Sequence, residues 1–198
     1  MKCLVYAALV IVASVSVQGN SPVVETPQGS IKGVQEQCLQ TGETIYEFRG
    51  IPFAKPPVGD LRFRKSVPVE KWTDTLDATS FGAGCPQRLP EFFSDFKPKE
   101  MSEDCLFLNV YVPKKLDSNK KLPVMVWIHG GGLMIGFSHQ YDGAWIATSS
   151  EVIVVTINYR IDVLGFLALD HPAALGNYGL WDQKLALEWV QDNIASFG

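Results

Sequence analysis

The sequence predicts an α/β chain, with short antiparallel strands at its N-terminal end and then the first strands and helices of a central, mostly parallel sheet. Three observations predict it. Residues 124–128 (V-M-V-W-I) and 152–157 (V-I-V-V-T-I) are unbroken apolar runs rich in β-branched residues, the pattern of strands buried on both faces. Between them, residues 144–148 have the composition of a short helix, with Asp142 placed to cap it. Two such strands joined through a helix require a crossover and a parallel pairing. Finally, residues 180–194 contain no proline or glycine. Leu180, Leu187, Val190, Ile194 and Phe197 fall on one helical side, with Asp182, Lys184, Gln191 and Asp192 mainly elsewhere.

Length and composition bound the rest. With 198 residues, 46% of them hydrophobic, the chain can bury a real core and is not a disordered segment. A net charge of −4 without any basic block excludes nucleic acid as an expected partner. Residues 1–19 read as a secretory signal: Lys2 is the positive n-region, residues 4–17 are nearly all apolar, and Ser16, Val17 and Gly19 are small enough for cleavage after Gly19. Roughly fourteen apolar residues fall short of the roughly twenty that a membrane span needs. Cys3 leaves with the signal, so Cys38, Cys85 and Cys105 meet an oxidising compartment. Three is odd, so at least one is free or pairs outside this chain. A bridge between Cys85 and Cys105 would stabilise by roughly 3 kcal/mol on the chain-entropy model.

In chain order, Val23 and Val24 precede the turn residues Pro27, Gln28 and Gly29, after which Ile31 and Val34 resume, giving a hairpin. Residues 44–49 alternate as another strand near a sheet edge. Residues 50–72 hold Pro52, Pro56, Pro57 and Pro68, yet also Ile51, Phe53, Leu61, Phe63 and Trp72. That combination predicts an ordered loop that hugs the surface, without a domain boundary. Residues 106–112 form a strand with Leu106, Leu108, Val110 and Val112 on one face and Phe107, Asn109 and Tyr111 on the other. Residues 114–121 are a charged turn, and 165–169 a loop or short helix.

The first apolar run stops at His129 and three glycines, Gly130, Gly131 and Gly132. Glycine admits unusual dihedrals and close approach. A buried strand ending in bare backbone N–H groups suits a negative oxygen, so this corner is a candidate oxyanion hole. A phosphate loop is excluded because no G-K-[ST] follows, and Gly136 comes one position late for a dinucleotide fingerprint.

Five segments occur in an order and spacing that resemble the N-terminal third of type-B carboxylesterases, the cholinesterase-like branch of the α/β-hydrolases. They are residues 48–63 (F-R-G-I-P-F-A-K-P-P-V-G-D-L-R-F), 103–113 (E-D-C-L-F-L-N-V-Y-V-P), 123–132 (P-V-M-V-W-I-H-G-G-G), 158–167 (N-Y-R-I-D-V-L-G-F-L) and 176–194 (G-N-Y-G-L-W-D-Q-K-L-A-L-E-W-V-Q-D-N-I). The resemblance implies an incomplete α/β-hydrolase fold over residues 20–198. In the family, the strand and G-x-S-x-G elbow carrying the nucleophile follow this helix, and the acid and base lie further on. The nearest match here, Gly136-Phe137-Ser138, has Gln140 in place of the second glycine. The expectation is an N-terminal portion, inactive alone, that needs the remainder of its own chain to complete the catalytic site.

The resemblance also assigns residues. Gly131 and Gly132 become oxyanion donors for a serine acyl-enzyme, acting on a small-molecule carboxylic ester, with no cofactor and no metal. Cys85 and Cys105 match the family's first disulfide, and Cys38 has no nameable partner. Arg62 with Glu103, and Arg160 with Asp182, match its structural ion pairs. His129 is expected to fix the loop by hydrogen bonding, and His139 and His171 to be ordinary loop histidines. There are departures. Leu133 stands where an aromatic residue is frequent, which reshapes the acyl side of the pocket. The loop between Cys85 and Cys105 has no tryptophan to hold a quaternary ammonium, which argues against a choline ester. Phe92, Phe93 and Phe96 are candidates for an apolar gorge mouth. The alternative reading is a non-catalytic adhesion or signalling homologue on the same fold.

Overall fold

The computed structural model describes residues 21–88, 97–114, 121–169 and 171–198. The signal segment, Phe92, Phe93, Phe96 and most of the charged turn lie outside the described residues.

The hairpin forms as expected: β1 (Val23–Thr26) pairs antiparallel with β2 (Gly29–Lys32). Gly33 then passes the chain to a second sheet. That sheet comprises β3 (Val34–Gln37), β4 (Thr44–Pro52), β6 (Phe107–Pro113), β7 (Val124–Ile128) and β8 (Ile153–Ile157), in the order β3-β4-β6-β8-β7. A short β5 (Leu76–Asp77) joins β2 in parallel. The pairs β3/β4, β4/β6 and β6/β8 are antiparallel, and β7/β8 is parallel with Val124 opposite Ile153. The crossover between β7 and β8 carries α1 (Ala144–Ser150). The residue flanking that helix is Gly143 rather than Asp142, although the Asp142 carboxylate accepts the Ala144 N–H at 2.8 Å. Residues 162–166 form a short helix, α2 (Asp162–Phe166), and α3 spans Tyr178–Asn193.

Strand alternation decides the layers. Leu108, Val110 and Val112 of β6 and Ile153, Val155 and Ile157 of β8 pack into one core with Leu185, Ala186, Trp189 and Val190 of α3. Tyr111 of β6 and Val154 of β8 face the other way, against Ala144 and Ala147 of α1, with Ile45 and Cys38. Each fully buried Leu, Ile or Phe contributes about 1.5–3 kcal/mol. These two faces therefore hold most of the fold's driving force. The proline-rich segment is ordered, with one 3₁₀ turn (Gly59–Leu61) and with Phe53 and Ala54 in the core.

Two expectations need correction. The buried face of α3 is only in part the expected one: Val190 and Phe197 are buried and Ile194 packs against the core, but the two leucines are not buried. Leu180 and Leu187 are 49% and 45% exposed, whereas Asp182, Leu185, Ala186, Trp189 and Asn193 are buried. Asp182 turns inward because a buried arginine is its partner. Ala186 lets the helix lie close to the sheet. Second, β7 is not buried on both faces. Among the described residues it is the sheet's outer strand, paired with β8 alone, and Val124, Met125, Trp127 and Ile128 are all exposed. Sequence pattern reports what a strand can bury; among the described residues only Val126, packed against the core, and Trp127, whose ring meets Tyr141, gain partial cover.

Candidate oxyanion loop

The glycine corner is held by hydrogen bonds to the Gly130 and Gly131 carbonyls. His129 ends β7, is buried, and receives the Tyr159 hydroxyl on its carbonyl at 2.8 Å. Its ring stacks on Tyr159 with centroids 4.4 Å apart. Burial pushes its pKa below the ordinary imidazole value, against a smaller opposing effect of the Gly130 carbonyl. The neutral ring donates from Nδ1 to that carbonyl at 2.9 Å, leaving Nε2 without a partner among the described residues. A trans peptide is planar, with its C=O and N–H pointing oppositely. Pinning the Gly130 oxygen therefore aims the Gly131 N–H away from the histidine.

The chain then reverses. Gly131 has φ +118° and Gly132 φ +63°, and the Gly131 carbonyl accepts from both Met134 and Ile135 N–H at 3.1 Å. A β-carbon on Gly131 would overlap the Ile135 carbonyl oxygen, so only glycine fits. Leu133 is also left-handed, φ +63°, and its carbonyl accepts the Asp162 N–H at 2.7 Å. The Gly131 carbonyl is thus spent within the turn and the Leu133 carbonyl on α2. Neither the Gly131 nor the Gly132 N–H finds an acceptor among the described residues, and both glycines are exposed. Two N–H groups without an acceptor among the described residues, at the C-terminal end of a parallel strand, have the chemistry of a candidate site for a negative oxygen.

The other named residues lie behind this loop. Cys85 and Cys105 are buried and disulfide-bonded, and Cys38 is a buried free thiol. Asp182 accepts from Arg160 three times: from its backbone N–H at 3.0 Å, Nε at 2.8 Å and Nη2 at 2.7 Å. Nη2 also donates to the Arg64 carbonyl at 2.8 Å. β-Carbons on Gly165 and Gly179 would both overlap the Arg160 carbonyl, so α2 and α3 close on that residue. Arg62 binds Glu103 through Nε and Nη2 at 2.6 and 2.7 Å. This second pair is not buried, since the Arg62 side chain is 45% exposed. Hydrogen bonding to Glu103 raises the Arg62 pKa. Arg62, Glu103, Arg160 and the disulfide border one narrow gap.

His139 is half-buried between Phe81 and Phe137, and His171 accepts the Ala173 N–H. Ser138 is no elbow nucleophile: it is buried in a 3₁₀ turn and its Oγ accepts from Asn109 at 3.1 Å. Sequence reasoning missed Gln87, Asn109, Asn158 and Tyr159, which tie this turn to the disulfide and the sheet. Asn109 carried a signal, a carboxamide inside an apolar strand; Gln87 carried none.

Structure and sequence together define an α/β chain whose parallel strand ends in a glycine loop with two amides that have no acceptor among the described residues. The model of the carboxylesterase family matches residues 20–198. Over 173 residues the chain is 47% identical to acetylcholinesterase 1 of Caenorhabditis elegans, covering 83% of this chain and 28% of that protein. It is 46% identical over 185 residues to a cocaine esterase of Oryctolagus cuniculus, covering 90% and 35%, and 45% identical over 186 residues to carboxylesterase 1D of Rattus norvegicus, covering 89% and 33%. The chain belongs to the carboxylesterase family, and it spans about a third of the length of these relatives.

Proposed function

We propose that the polypeptide to which this chain belongs is a secreted carboxylic-ester hydrolase working through a serine acyl-enzyme. The observation that carries the reading is the pair of unbonded amides of Gly131 and Gly132, in a family of esterases. A serine from the remainder of the polypeptide attacks the ester carbonyl, and the carbonyl oxygen becomes an oxyanion between these donors. Water then releases the acyl group. One such donor contributes roughly 3–4 kcal/mol in the transition state. Secretion is supported by the Cys85–Cys105 bridge, which suits an oxidising compartment. The absence of a tryptophan from residues 86–104 favours neutral esters over choline esters, although one relative is named an acetylcholinesterase.

The test is expression of the full-length protein and of residues 20–198, each with a p-nitrophenyl ester. Turnover by the full-length protein, abolished by an organophosphate that labels one serine, is expected; residues 20–198 alone are inactive. A full-length protein with neither turnover nor label is instead a non-catalytic homologue of the adhesion or signalling kind.

A further inference from the structure

The far end of the glycine loop is gripped by a side chain that ester chemistry does not itself call for. Gln87 follows the bridged Cys85 by two residues. Its Oε1 accepts the Gly136 N–H at 2.8 Å, and its Nε2 donates to the Gly136 carbonyl at 3.0 Å and to the Cys85 carbonyl at 3.1 Å. One carboxamide thus engages both backbone groups of Gly136. Gly136 has φ +124°, and a β-carbon there would overlap the His129 ring, the ring that holds the Gly130 carbonyl. The loop is therefore fixed at both ends around one histidine.

A second carboxamide repeats the arrangement from the other half of the bridge. Asn158 Nδ2 donates to the Cys105 and Ala83 carbonyls, both at 2.9 Å, and its Oδ1 accepts the Ser138 N–H at 2.8 Å. The segment 136–138 is held from both sides of the disulfide. Such bidentate contacts stop a backbone from rotating as well as from moving away. Rotation about Gly136 is the freedom that would let the 131–135 turn swing its amides off target.

We propose that Gln87 is a positioning residue for the oxyanion loop: it transmits the rigidity of the Cys85–Cys105 bridge to the amides of Gly131 and Gly132. This rests on the ester-hydrolase reading for its catalytic consequence, but not for its geometry. The experiment replaces Gln87 in the full-length protein by methionine, an apolar side chain of similar length that satisfies neither group of Gly136. Deuterium uptake is followed over residues 130–136, where Met134 and Ile135 donate to the Gly131 carbonyl and do not touch Gln87. Their exchange is expected to quicken at least about threefold. In the same protein kcat for a p-nitrophenyl ester falls roughly 10- to 100-fold, with KM within about threefold, because the donors act on the transition state. Unchanged exchange, or a loss carried by KM with kcat retained, overturns the proposal. If the full-length protein proves to hydrolyse no ester, the proposed function fails, and exchange alone still decides whether Gln87 holds the loop. If Gln87→Met is not secreted, Gln87→Asn carries the same test, since it keeps the amide but is one methylene too short to reach both groups.

Discussion

The three glycines at the end of β7 are chemically alike and structurally different, so substituting each by alanine separates their roles. A β-carbon on Gly130 would meet no atom within 4 Å, and its φ is not left-handed. Gly132 also faces open space but has φ +63°, where an alanine costs about 1–2 kcal/mol. Gly131 has φ +118° and no room, because its β-carbon would occupy the position of the Ile135 carbonyl oxygen. Strain of about 1–3 kcal/mol is then relieved only by displacing the turn. A shift of 1 Å in a catalytic group can cost about 100-fold, and loss of one oxyanion donor about 100- to 1,000-fold. In the full-length protein, Gly131→Ala is expected to lower kcat by at least about 100-fold and Gly132→Ala by about 10-fold. Gly130→Ala should stay within about threefold. Steady-state kinetics with a p-nitrophenyl ester read kcat, and urea midpoints separate strain from chemistry. If Gly131→Ala keeps kcat within twofold of the parent, these amides do not hold the reacting oxygen.

Two further outcomes follow from buried groups. Asp182→Ala strands the Arg160 guanidinium in the core and is expected to cost about 3–5 kcal/mol in urea unfolding, whereas the double change Arg160→Met with Asp182→Leu costs far less; a loss below about 1 kcal/mol for Asp182→Ala contradicts the buried-pair account. Burial lowers the His129 pKa, so the folded chain binds this proton less readily than the unfolded chain, whose ordinary value is about 6.5. Its contribution is complete above pH ~6.5 and is lost as pH falls toward the lower folded value. His129→Asn, which keeps a donor toward the Gly130 carbonyl, should flatten the stability-against-pH curve between pH 6.5 and 5 by up to about 1.4 kcal/mol per pH unit; an unchanged slope means the histidine is not held neutral.

Local windows of sequence were sufficient for what depends on neighbours in the chain. Two dense apolar runs around a short helix set the β7/β8 parallel pair, alternation set the two faces of β6, and Gly131 and Gly132 set the reversal after His129. These follow from strand periodicity and from dihedrals that only glycine takes freely, and both act over a few residues. Tertiary structure alone decided which surfaces meet. A hydrophobic stripe on α3 pointed to Leu180 and Leu187, yet the fold buried Asp182 because Arg160, 22 residues away, offers three hydrogen bonds. It joined Gln87 to Gly136 across 49 residues, a pairing that no composition or spacing encodes. It also left β7 exposed, since burial is a property of what lies next to a strand and not of the strand's own side chains.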